Sequence, residues 1–177
     1  RVCGPLFDKG VSHYALKARA GLMKHRKGVP LCPENTGRIS ERMKQEMKGI
    51  VLISHGDMAK GMAQSATLFL GDSIPQLTYC CLQQEDAPEA FAERLESAVR
   101  QVDSGEGVVL LADLFGGTPC NQAIVRLKEN TELIAGMNFP MLLELLTGRM
   151  GGETDIDALV ESGRNAIMNG KAALAAG

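Results

Sequence analysis

The 177-residue chain has no tryptophan, two tyrosines and five phenylalanines. An interior this poor in rings must be filled by aliphatic side chains, and apolar residues still make up 45% of the sequence. That amount suits one ordinary domain that folds without staples. No apolar stretch approaches the roughly 20 residues of a membrane span, and the N-terminus lacks the continuous apolar block of a secretory signal. The five cysteines are an odd number without zinc-type pairing, so they read as reduced thiols of a cytoplasmic protein. Histidine is scarce as well. Of the three in the chain, His13 and His25 fall in the first 46 residues and His55 has no histidine after it. His13, His25, Cys3 and Cys32 fit no ligand spacing, so neither a metal ion nor a cofactor is expected.

Charge is split unevenly. Residues 1–46 carry ten basic and four acidic side chains, and residues 47–177 carry nine and seventeen. The balances of +6 and −8 separate two segments with different origins or tasks. The first reads as a basic, irregular leader with one helix near 40–47: an upstream extension, an expression remnant or a misplaced start. It lacks interleaved aromatics, so nucleic-acid binding is not expected. A compact domain begins at Met47 and runs to 170, followed by a tail at 171–177.

What the domain does have is regular alternation. Apolar runs bounded by glycine and polar residues predict strands at 48–53, 76–82, 107–112 and 132–135. Helical periodicity predicts helices at 57–70, 88–102, 120–128 and 141–147, and a last one capped by Thr154 and ending near 168. On the first helix Met58, Met62, Ala66, Phe69 and Leu70 form the apolar face. Thr118 is expected to cap the third helix, with Pro119 as its first residue. Cys80 and Cys81 share a strand, so they face opposite sides and both pack inside. The third strand, apolar on both faces, belongs in the middle of a parallel sheet. The fold class is therefore α/β: a three-layer α/β/α sandwich with a mostly parallel, doubly wound sheet in strand order 2-1-3-4.

Two strands of that sheet end in polar residues that can meet. The first ends in Ser54-His55 and the third in Asp113. Adjacent parallel strands place their C-terminal ends at the crevice where open α/β sheets do chemistry. A carboxylate that accepts one imidazole N–H fixes the tautomer and leaves the other nitrogen bare and outward. It also stabilises the positive charge that develops when that nitrogen attacks an electrophile. Gly116-Gly117-Thr118 precedes a helix, and glycines let backbone N–H groups turn toward an anion. Gly56 removes bulk beside His55. A nucleophilic histidine facing an anion cradle points to a phosphohistidine. Met58 and Phe115 are candidate exposed contacts for partners.

Three ordered stretches resemble the enzyme IIA component of the mannose-family sugar phosphotransferase system. They are Ile50-Val51-Leu52-Ile53-Ser54-His55-Gly56, then Val109-Leu110-Leu111-Ala112-Asp113-Leu114-Phe115-Gly116-Gly117-Thr118-Pro119, then Ile134-Ala135-Gly136-Met137-Asn138-Phe139-Pro140-Met141-Leu142. The resemblance implies that His55 is phosphorylated by the phosphocarrier HPr and passes the group to a IIB component. Membrane IIC and IID components are then served indirectly. Asp113 matches the acidic partner of that histidine, and Leu114 through Thr118 match the loop around the phosphate. The family forms cytoplasmic homodimers that exchange a C-terminal strand, for which the tail Lys171-Ala172-Ala173-Leu174 is a poor candidate. A subunit of phosphoenolpyruvate-dependent dihydroxyacetone phosphorylation shares the fold, but Phe115–Pro119 argues against it. A histidine phosphatase or a metal chelatase would need a second downstream histidine. A flavodoxin-like cofactor module would need a hydroxyl-rich loop where Gly56-Asp57-Met58-Ala59 stands.

Overall fold

The computed structural model describes residues 47–149 and 154–175. The leader, its helix and the four Cys and His residues discussed with it lie outside the described residues. Strand β1 (Gly49–His55) leads to helix α1 (Met58–Leu70), β2 (Leu77–Leu82), α2 (Pro88–Val102), β3 (Val108–Ala112), α3 (Thr118–Ile124) and β4 (Thr131–Ala135). Helices α4 (Phe139–Gly148), α5 (Ile156–Asn165) and α6 (Gly170–Ala175) follow. The four strands form one sheet in the order β2-β1-β3-β4, and each pairing is parallel.

Why the sheet orders this way is visible in its burial. All five β3 residues and the first six of β1 are buried, so these two aliphatic strands take the centre. Ile50 and Leu52 pack toward α1, α4 and α5 on one face. Val51 and Ile53 pack toward α2 and α3 on the other. Cys80 joins the second group and Cys81 the first, the alternation expected of a strand, although Cys81 on the sheet's edge is only half-buried. No described helix is long and apolar enough to cross a membrane.

Several local expectations need correcting. Of the face expected for α1, Ala66 is buried and Met62 and Leu70 pack against the core, but Met58 and Phe69 are half-exposed and the buried stripe also takes in Ala59 and Ala63. Hydropathy favours the large side chains, but a helix lying close on a sheet needs small ones at its contact line. Thr118 does not cap α3: Gly117 is the N-cap and Thr118 already helical. The helix also stops at Ile124, because Arg126 and Leu127 donate to carbonyls three residues back, a tightened turn that ends the helical ladder. Helix α4 begins two residues early because the Asn138 side chain accepts from the Met141 N–H at 3.0 Å. Asp155, not Thr154, caps α5, accepting from the Ala158 N–H at 3.0 Å, and α5 ends at Asn165. The alanine-rich tail is helical at Gly170–Ala175, as its propensity favours. Strand β1 runs two residues past 53, which puts His55 at its final position.

Candidate functional site

Register delivers the two polar ends to each other. Ile53 pairs with Ala112 across β1 and β3, so Asp113 comes next to Ser54. The Asp113 N–H donates to the Ile53 carbonyl at 3.1 Å, continuing the parallel ladder. The next ladder bond would take the His55 N–H to the Asp113 main chain. Instead it goes to the side chain, Oδ2, at 2.8 Å. The same oxygen lies 2.9 Å from Nδ1 of the His55 ring. A carboxylate only accepts, so Nδ1 carries the proton and Nε2 is left bare. The other carboxylate oxygen, Oδ1, is buried and accepts no hydrogen bond from the described residues. The His55 side chain is 44% exposed and that of Asp113 12%. The Nδ1 end of the ring is therefore held by a sheltered carboxylate, while the imidazole itself is half-exposed.

Gly117 forms the wall beside the Cε1–Nε2 edge of the ring. A Cβ there would stand 2.5 Å from His55 Cε1 and 3.2 Å from Nε2, so any side chain would displace the ring. The loop is held from behind by Asn121. Its side-chain amide donates to the Gly116 carbonyl at 2.8 Å, and its N–H donates to the Gly117 carbonyl at 2.9 Å. Helix α3 has seven residues, so its dipole adds little and the polar groups near the ring belong to the loop. Across the crevice Gly56 has φ +52°, a left-handed turn that lets the chain leave β1 abruptly. Its N–H donates to the Leu82 carbonyl at 2.8 Å, tying the corner to β2.

Ser54, with no exposed surface, ties the corner to α1. Its hydroxyl donates to the Gly56 carbonyl at 2.9 Å and accepts from the Ala59 N–H at 2.8 Å. It thus does the capping that Asp57, the N-cap residue, does not do with its own side chain. Beyond the crevice, Met58, Leu114 and Phe115 present apolar surface, and Phe115 is 76% exposed. Residues expected at the site thus divide cleanly. His55, Asp113, Gly56 and Gly117 meet at the crevice. Leu114 and Phe115 stand on its rim, and Thr118 opens α3 behind the Gly116-Gly117 turn. Ser54 and Asn121 were not anticipated as positioning groups. A hydroxyl ending an aliphatic strand was a readable signal for Ser54, but nothing local marked Asn121.

Such a site can use a bare imidazole nitrogen as a nucleophile toward an anionic electrophile. The profile of a family described as "PTS system fructose IIA component" matches residues 49–162. The mannose-specific EIIAB component of the phosphotransferase system of Escherichia coli K12 is 35% identical over 124 residues, which are 67% of this chain and 38% of that protein. The chain thus spans well under half the length of that relative. The fructose-specific EIIA component of Bacillus subtilis is 28% identical over 105 residues, 58% of this chain and 71% of that one. The crystal structure of a PTS IIA protein associated with the fucose utilization operon of Streptococcus pneumoniae superposes with a TM-score of 0.67 at 27% identity. It covers 72% of this chain and 96% of its own.

Proposed function

The chain belongs to the PTS fructose IIA component family, the mannose-type EIIA group, and from that premise we propose that it is a phosphohistidine carrier. His55 Nε2 accepts a phosphoryl group from HPr and passes it to a IIB component, which serves the membrane components in sugar uptake. The lone pair of Nε2 forms the new N–P bond as the donor's N–P bond breaks, and the donor imidazole recovers its electron pair. The Nδ1 proton stays in its hydrogen bond to Asp113 throughout, so the ring's growing positive charge always faces a carboxylate. Transfer between two imidazole nitrogens is nearly balanced in energy, so positioning and electrostatics carry the catalysis. One observation carries this reading: a ring anchored at Nδ1 by a sheltered carboxylate 2.9 Å away, with its opposite edge open beside a glycine.

Met58, Leu114 and Phe115 form the contact rim for both partners, work that suits adaptable apolar side chains. The carrier acts in the cytoplasm as a homodimer. Support for the dimer comes from β4, which has no second strand neighbour among the described residues, and from exposed Ile124, Val125 and Leu127 leading into it. The test is incubation with labelled phosphoenolpyruvate, enzyme I and HPr. The expected result is one acid-labile, base-stable phosphate per chain. No label, or an acid-stable one, overturns the proposal.

A further inference from the structure

His55 is anchored to Asp113 twice through one oxygen, and a pivot on one atom does not fix a side chain against rotation of the backbone that bears it. What stops that rotation is the next residue. Gly56 sits at φ +52°, with open space where a side chain would stand, so sterics alone do not hold the corner. Its N–H is bound by Leu82 and its carbonyl by the Ser54 hydroxyl. Ser54 lies on the α1 side of β1, in line with Ile50 and Leu52 along the period of the strand, opposite to His55. Its hydroxyl also takes the Ala59 N–H of the first turn of α1. One buried oxygen therefore sets three things together: the end of the strand, the corner at Gly56 and the start of the helix.

We propose that Ser54 is a positioning residue for phosphoryl transfer, acting through the Gly56 carbonyl to hold the His55 ring in line with Asp113 and against Gly117. The proposal rests on the phosphohistidine reading of His55 but has a readout of its own. Ser54 touches neither the incoming phosphate nor a partner. Without its hydroxyl the Gly56 peptide is free to turn, and the ring moves relative to a wall that already leaves no room for a methyl group. A misplacement of about 1 Å in an aligned transfer costs on the order of a hundredfold in rate.

The test compares wild type with Ser54→Ala, Ser54→Thr and Thr147→Ala. Thr147 is the matched control: its hydroxyl donates to the Leu143 and Glu144 carbonyls in α4, outside the crevice. Transfer rates are measured over a range of phosphorylated HPr, and the His55 tautomer is read by nitrogen NMR of the ring. Ser54→Ala is expected to lower the maximal transfer rate by about 10- to 100-fold with an unchanged half-saturating HPr concentration. The ring is expected to become a mixture of tautomers. Ser54→Thr keeps the hydroxyl and is expected to restore rate and tautomer to near wild type. Thr147→Ala is expected to cost stability alone. If Ser54→Ala melts like Thr147→Ala but keeps both wild-type rate and tautomer, the proposal is overturned. If Ser54→Ala does not fold, Ser54→Thr decides: a folded Thr variant with a wild-type tautomer supports the role, and a disordered ring overturns it. If wild type takes up no phosphate, the carrier reading fails, and the tautomer comparison alone supports or overturns control of the ring by Ser54.

Discussion

The two ends of one sheet use polar side chains in opposite ways. At the C-terminal end of β1, His55 keeps a bare nitrogen in the open, beside a glycine and under an apolar rim. At the N-terminal end, Arg149 is 3% exposed and spends its donors on main chain: Nη1 on the Lys48 and Gln76 carbonyls, Nη2 on that of Pro75 at 2.5 Å. Burial disfavours the charged guanidinium and pushes it down to about 10. Beside it Gln76, at φ +53°, donates from its amide to the Met47 and Val102 carbonyls and to Ser104. Both clusters are rich in hydrogen bonds that join distant segments. At the N-terminal end the paired donors are sealed from water and tie segments into a clasp, although Arg149 Nε and Gln76 Oε1 are buried there without a partner among the described residues; at the other end a group facing water keeps capacity for a ligand. Polar residues at strand ends are thus not informative by themselves. Their exposure separates the two ends, since each holds a buried polar atom without a partner among the described residues.

The sharpest way to break this contrast is His55→Gln. It should abolish phosphate uptake and leave thermal unfolding close to wild type. A variant that still carries acid-labile phosphate would move the site elsewhere. Asp113→Asn keeps the shape but lets the ring take the wrong tautomer, so single-turnover transfer should slow by about 100-fold or more. Unchanged kinetics would remove Asp113 from the mechanism. Gly117→Ala probes the wall alone, because its backbone (φ −69°, ψ 162°) suits any residue. The methyl would force the ring aside, for an expected loss of about tenfold or more in rate with a folded protein by circular dichroism.

At the other end of the sheet the expected pattern reverses. Arg149→Met strands backbone acceptors and should cost about 1–3 kcal/mol in urea unfolding, while phosphate uptake in the folded fraction stays unchanged. The smallest effect belongs to Asp86, on the β2 side of the crevice. Arg94 and the Gln83 N–H hold its carboxyl below the usual carboxylate range. A lowered folded value stabilises above the ordinary value and fades as pH falls through the lowered one. Asp86→Asn should therefore be slightly less stable at pH 7, and its deficit should close as pH drops below about 4. A deficit that persisted in acid would rule out charge as its cause.

Much of this was legible in the chain. The aliphatic runs of β1 and β3 predicted a central parallel pair, and the strand order followed from the alternation of elements. The bounds of α2 were readable because Pro88 and the apolar spacing of Phe91, Leu95, Ala98 and Val102 mark them locally. The contact face of α1 was legible only in part: Ala66, Met62 and Leu70 lie in or against the core, but hydropathy ranks Met58 and Phe69 above Ala59 and Ala63 and cannot register how closely a helix approaches a sheet. The start of α3 was misread by one residue for a related reason. Thr118 has the right chemistry for a cap, but Gly117 has to occupy that position to clear the His55 ring. Asn121 stayed hidden because its importance lies in which carbonyls it reaches, a fact about turns rather than about residue type, whereas the Ser54 hydroxyl at the end of an aliphatic run was a local signal left unread.

By itself the sequence determined the element order, the aliphatic centre of the sheet and the pairing of His55 with Asp113 at neighbouring strand ends. These depend on periodicity and on parallel strand order, both encoded at short range. Only the tertiary structure decided that one oxygen of Asp113 takes both donors, that Gly117 borders the ring, and that the buried Ser54 hydroxyl joins the Gly56 carbonyl to the first turn of α1. Those outcomes depend on distances of tenths of an ångström between segments up to 62 positions apart, and such distances are set only when the whole core is packed.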